Sequence, residues 1–145
     1  MVVAPSLDAT KALLAYWQGK CGADGIPRRD DIVPAEIVTH LPNLVIAEPI
    51  EGGRDWYYRL VGTAVVGLSD LDLTGKRTTE AFPPDIAAAY IADYQRGVAN
   101  RAPWVVQGNI AVPGREFLRF EAIGLPILAR DGHSVWLLFG VFYID

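Results

Sequence analysis

The sequence predicts an α+β domain: one antiparallel sheet with a helical insert on one face and a further helix packed outside. Three observations carry this. At 145 residues, 51% of them hydrophobic, the chain can build one core without disulfides or a metal. Its β-rich runs fall into two groups, near residues 43–61 and 104–144, separated by a stretch with helical features. The links within each group, Glu51-Gly52-Gly53-Arg54, Pro113-Gly114 and Asp131-Gly132, are short turn sequences that favour hairpins over crossovers.

Taken in order, Ser6 or Asp8 is placed to cap a first helix, on which Leu13, Leu14 and Trp17 recur at helical spacing before Gly19 and Gly22 end it. Arg28 to Asp31 reads as a polar connection. Pro34 suits the first turn of a short helix near Ala35 to Leu41, and Pro42 forbids its continuation. Asn43 to Ile50 and Trp56 to Val61 form a hairpin. A turn or two of helix at Thr63 to Leu68, a loop through Asp70 and Asp72, and a turn at Thr74-Gly75-Lys76 lead to Pro83-Pro84-Asp85. There the longest helix opens, with Ile86, Tyr90, Tyr94 and Val98 on one side, and it runs to about Asn100. Three strands close the chain: Trp104 to Val112, Glu116 to Ala129, and Ser134 to Ile144. The last is almost wholly apolar, so it belongs at the sheet's centre, covered on both faces. Residues 1–42 are read as an N-terminal helical cap and 43–145 as the core of one structural unit.

Composition removes several functions. Lysine and arginine number 13 against 17 acidic residues, a formal charge of −4, and the basic residues are dispersed except at Arg28-Arg29. Neither nucleic acid nor an anionic membrane is an expected partner. Cys21 stands alone, without a second cysteine for a disulfide or metal-ligand spacing. The N-terminus lacks the basic-then-apolar pattern of a secretory leader, and no apolar run reaches bilayer length, so a cytoplasmic location is expected.

No catalytic set emerges. The two histidines read as helix-end (His40) and turn (His133) residues, no nucleophile has a base, and Asp70 and Asp72 read as turn chemistry. Polar and aromatic candidates do gather on elements expected to enclose a cavity: Tyr58 and Arg59, Tyr90 and Tyr94, Trp104 and Gln107, Arg119 and Glu121. Strand alternation sets Tyr57, Arg59 and Val61 against Trp56, Tyr58 and Leu60, and one set faces inward. Arg59 either offers its guanidinium to a ligand anion or pairs with Glu121 or another acid across the sheet. Leu13, Leu14, Tyr16 and Trp17 give the first helix an apolar surface that either covers the sheet or meets a second copy.

This layout resembles the PAS fold, and its details are similar to the alphaproteobacterial single-domain PAS family. The residues concerned are Tyr16-Trp17, Pro34-Ala35-Glu36-Ile37, Tyr58-Arg59-Leu60-Val61-Gly62-Thr63 and Leu73-Thr74-Gly75-Lys76, in the family's order and spacing. The resemblance implies a five-stranded sheet with a ligand cavity, and a sensor or protein-interaction role in signalling, as a homodimer. With no kinase, cyclase, phosphodiesterase or DNA-binding segment in the sequence, output is expected in trans. Flavin-adduct PAS domains share an Asn-Cys-Arg motif, whereas Cys21 lies outside the sheet and insert. Haem PAS domains take an axial histidine from the long helix, which has none here. The expectation is therefore no cofactor, with a small organic ligand allowed. Two alternatives are a cone-shaped hydratase or isomerase, which requires His40 or His133 to meet a carboxylate in the pocket, and a purely structural domain.

Overall fold

The computed structural model describes residues 2–23, 25–110 and 112–144. β1 (Val2–Val3) is followed by α1 (Asp8–Lys20), the hairpin β2 (Leu44–Ile50) and β3 (Asp55–Val61), the insert helices α2 (Thr63–Ser69), α3 (Thr78–Ala81) and α4 (Pro84–Asn100), and then β4 (Trp104–Asn109), β5 (Arg119–Leu128) and β6 (Val135–Ile144). The strands form one antiparallel sheet in the order β1-β4-β5-β6-β2-β3. Five of them are the strands expected from the sequence; two-residue β1 adds a sixth at the β4 edge, pairing Val2 with Val106 and Val3 with Val105.

β6 sits at the centre, between β5 and β2, and its apolar run is consumed on both faces. Leu138 and Phe142 join Ile123, Leu125 and Ile127 of β5 beneath Leu13 and Trp17 of α1. Leu137 and Phe139 face the other way, toward Trp56 and Tyr58 of β3 and Tyr94 of α4. β2, β4 and β6 thus each feed both cores by their period of two. α1 is fixed to the outer core by packing and by the Trp17 indole, which donates to the Pro126 carbonyl at 2.8 Å.

Three local expectations change. Residues 34–43 form 3-10 turns, Pro34–Glu36 and Val38–Asn43, in place of a short α-helix. Pro42, which lacks the N–H needed to continue an α-helix, lies within the second turn. Neither Ser6 nor Asp8 caps α1: its N-cap is Leu7, with no side-chain cap of its own. And β3 does not alternate cleanly, because the register against β2 slips between Ile46 and Ala47, leaving Arg59 as the extra residue of a bulge. Trp56 and Tyr58 face inward, and past the bulge Val61 also packs inside while Leu60 is left exposed.

Gly62 ends β3 with its N–H on the Leu44 carbonyl at 2.8 Å. A Cβ there would lie 2.2 Å from the Pro42 oxygen, so the strand can meet the 3-10 turn only as glycine. That contact turns the chain into α2 and across the inner face.

Candidate functional site

Between the inner face of the sheet and the insert lies a cavity of about 150 Å³. β5 supplies part of its floor through Phe120, Ala122 and Gly124, the residues that alternate with the outward-facing Glu121 and Ile123. Val65, Ser69, Leu71 and Leu73 of α2 and the following loop form one wall, and Tyr90, Asp93 and Tyr94 of α4 the roof. Trp104 closes one end, its ring edge-to-face with Phe139 at 5.8 Å.

The polar groups here are few and mostly engaged. The Tyr58 and Tyr94 hydroxyls bond each other at 2.9 Å, and Thr78 Oγ1 donates to Tyr58 at 3.1 Å. Burial pushes Tyr58 up to about 12, more than the bonds from Thr78 and Tyr94 bring it down, and burial likewise raises Tyr94 well above the ordinary phenol. Both are neutral at physiological pH. Ser69 bonds back to the Val65 carbonyl at 3.1 Å, and Asp93 accepts from Arg96. Tyr90, also raised chiefly by burial, stacks on Tyr94 and meets Phe82 edge-to-face at 4.9 Å. Its hydroxyl makes no hydrogen bond among the described residues.

Of the residues singled out in the sequence, the structure gathers Tyr58, Tyr90, Tyr94 and Trp104 around the cavity and places the others elsewhere. Arg59, thrown outward by the bulge, pairs with Glu48 at 3.2 Å and lies over the Trp136 ring at 4.9 Å; it does not meet Glu121. Arg119 starts β5 on the outer side, exposed. Gln107 and Glu121 are paired across β4 and β5 on the outer face. There Glu121 accepts from the Ser6 hydroxyl at 2.6 Å, the Ser6 and Leu7 N–H groups at 3.1 Å and Gln107 Nε2 at 2.7 Å. Burial alone would raise this carboxyl, but the bonds from Ser6, Gln107 and Leu7 outweigh it and hold it at about 2. The carboxylate thus holds the Ser6 and Leu7 N–H groups just before α1 from another element, while neither Ser6 nor Asp8 caps the helix. Only a charged residue at an outward, fully buried strand position could have betrayed it.

Leu13 and Trp17 are buried against the sheet, Leu14 packs partly against the same core, and Tyr16 donates to Glu36 at 2.8 Å and accepts from the Val33 N–H at 2.9 Å. All four are engaged within one chain, and the exposed residues of α1 are Asp8, Lys11, Ala12, Ala15, Gln18 and Gly19.

His40 packs edge-to-face on Phe142 at 6.1 Å on the outer side, and His133 sits in the β5–β6 turn with its N–H on Asp131. Neither lines the cavity, so the pairing a cone-shaped hydratase needs is not formed. Asp72 accepts the Thr74 N–H at 2.9 Å, a turn contact. Among the described residues no cluster of three or more histidine, cysteine or acidic side chains could hold a metal, and no helix is long and apolar enough to cross a membrane.

An antiparallel sheet with short insert helices and one long helix over an apolar cavity on its inner face defines a cavity-bearing α+β domain. The chain belongs to the PAS-domain family: the family model, described as a PAS domain, matches residues 6–143. It is thereby a sensor module of the signalling type, the role class that the family resemblance implied. Among solved structures the chain is similar to a sensory box histidine kinase/response regulator from Burkholderia thailandensis E264, at 10% identity and a TM-score of 0.46, over 77% of this chain and 85% of that one. No curated protein matches it.

Proposed function

We propose that the chain is a non-catalytic sensor whose cavity takes a small ligand, and that it reports occupancy in trans, to a signalling partner that reads the N-terminal helix. One observation carries the reading: β5 serves both sites with alternate residues. Phe120, Ala122 and Gly124 floor the cavity, while Glu121 and Ile123, between them, hold the start and the apolar face of α1. A ligand that shifts β5 therefore changes how α1 is held, and a ligand that binds the two arrangements unequally biases their populations. A cavity lined by neutral tyrosines, with no histidine, lysine or cysteine among the described residues and with Ser69 and Asp93 engaged within the protein, supports binding over acid-base or nucleophilic work. The partner, or a second copy in a homodimer, meets the exposed face of α1, since its apolar stripe is already used.

Amide hydrogen exchange with and without a bound cavity ligand tests this. Protection should change in α4 and β5 and also in residues 8–20. Ligand-dependent protection confined to α4 and β5 would leave a binding protein without this output.

A further inference from the structure

We infer that the ligand is a neutral molecule the size of a single ring, seated among aromatic walls and held by one hydrogen bond to the Tyr90 hydroxyl. This rests on the reading of the cavity as a ligand site and narrows it by size, charge and polarity.

Size comes first. A cavity of about 150 Å³ equals the apolar cavity that stays dry and admits benzene, and it is half the lower end of the range for drug-sized ligands, roughly 300 Å³. A flavin or a haem exceeds it. Charge comes next. Among the described residues the lining has no lysine, arginine or histidine, and one charged group, Asp93, which is engaged by Arg96. A carboxylate or phosphate would lose its hydration here and gain no counter-charge. The walls then favour a ring, because they hold two edge-to-face aromatic pairs, Trp104 with Phe139 and Phe82 with Tyr90, surfaces that suit an aromatic guest. Polarity completes the description. Tyr58, Tyr94, Thr78 and Ser69 are bonded within the protein, which leaves Tyr90 as the lining hydroxyl without an internal partner among the described residues.

The test is a titration of the intact chain, followed by NMR and thermal unfolding, with four probes: benzene, phenol, benzoate and flavin mononucleotide at pH 7. Benzene and phenol should bind saturably and raise the unfolding temperature, while benzoate and the flavin should do neither. Tyr90→Phe should leave benzene affinity unchanged and weaken phenol about fivefold, the effect of one hydrogen bond of about 1 kcal/mol. Ala122→Leu, which fills the floor, should abolish both. Should that variant fail to fold, the Tyr90→Phe comparison still decides. Saturable binding of benzoate or the flavin without benzene overturns the size and charge assignment and leaves the ligand-site reading standing. Equal loss of benzene and phenol in Tyr90→Phe overturns the hydrogen bond. Failure of all four probes with a folded protein overturns the assigned class, and an interior that NMR then shows to be filled by its own side chains overturns the ligand-site reading with it.

Discussion

Trp104 is wedged between two glycines, and Gly97→Ala tests whether that wedge sets the height of the cavity roof. A Cβ at Gly97 of α4 would lie 2.2 Å from Cζ3 of the indole, and one at Gly124 of β5 would lie 2.4 Å from Cη2 of the same ring. Ordinary contact begins near 3.4 Å, so the ring or the helix must retreat by about 1 Å. The indole cannot simply move away, because the Gly124 backbone stands on its other side. Overpacking of this kind costs about 1–3 kcal/mol. Against it stands the gain of alanine over glycine inside a helix, about 0.8–1 kcal/mol. The net expectation is a loss of up to about 2 kcal/mol. Urea unfolding followed by far-ultraviolet circular dichroism would read this as a lower midpoint at unchanged slope. On a Trp104→Leu background the contact is gone, so the same Gly97→Ala change should turn stabilising by about 0.5–1 kcal/mol. A Gly97→Ala protein that is stabilised with Trp104 in place would refute the argument, since propensity would then have outweighed the clash.

Three further outcomes follow from the same structure. Glu121→Gln should cost about 1.5–3 kcal/mol, the range for hydrogen bonds to a charged group, seen in thermal unfolding at pH 7. Because the folded carboxyl sits near 2, below its ordinary 4.5, its contribution is complete above pH 4.5 and fades as pH falls through about 2; Glu121→Gln should flatten that part of the stability curve, and an unchanged profile would remove Glu121 as the holder of α1. Tyr94→Phe takes one of two partners from the Tyr58 hydroxyl and should cost about 1 kcal/mol in chemical unfolding, with Thr78 keeping Tyr58 satisfied; a loss beyond about 3 kcal/mol would mean the hydroxyl pair does more than bond. Gly62→Ala should cost about 3 kcal/mol or more, since its Cβ meets Pro42 backbone at 2.2 Å, whereas Gly67→Ala, with nothing within 4 Å in mid-helix α2, should stabilise by up to about 1 kcal/mol.

The fold was legible wherever one local rule acted alone. The period of α4, the turns at Gly52-Gly53 and Asp131-Gly132, and the two-sided apolarity of β6 each pointed to one answer, and strand bounds differ mainly where β4 stops at Asn109 and β5 begins at Arg119, each several residues inside its apolar run. The misses arose where a distant partner decides. The bulge at Arg59 depends on how β2 and β3 align, and the run Trp56 to Val61 by itself gives no cue to break step. β1 exists because Val2 and Val3 find the free edge of β4, which two residues of sequence cannot announce.

The site divides by the same logic. Tyr90 and Tyr94 on α4, Tyr58 in the middle of β3 and Trp104 at the start of β4 lie around the cavity; helix face is a local signal, whereas the inward face of β3, left open by alternation, is set by its packing. Gln107 and Glu121 were assigned to the cavity because a polar residue in an apolar strand suggests a binding wall, yet β5 presents Glu121 to the opposite side. What sends it there is parity: Phe120, Ala122 and Gly124 are the positions that leave room over the inner face, and a carboxylate between them must point outward. Once outward and fully buried, it needs donors, and the chain supplies them at the start of α1. Small residues on one parity and a charged residue on the other thus specify a cavity and a helix dock in the same strand, and shifting β5 by one residue would put Glu121 into the cavity and close it.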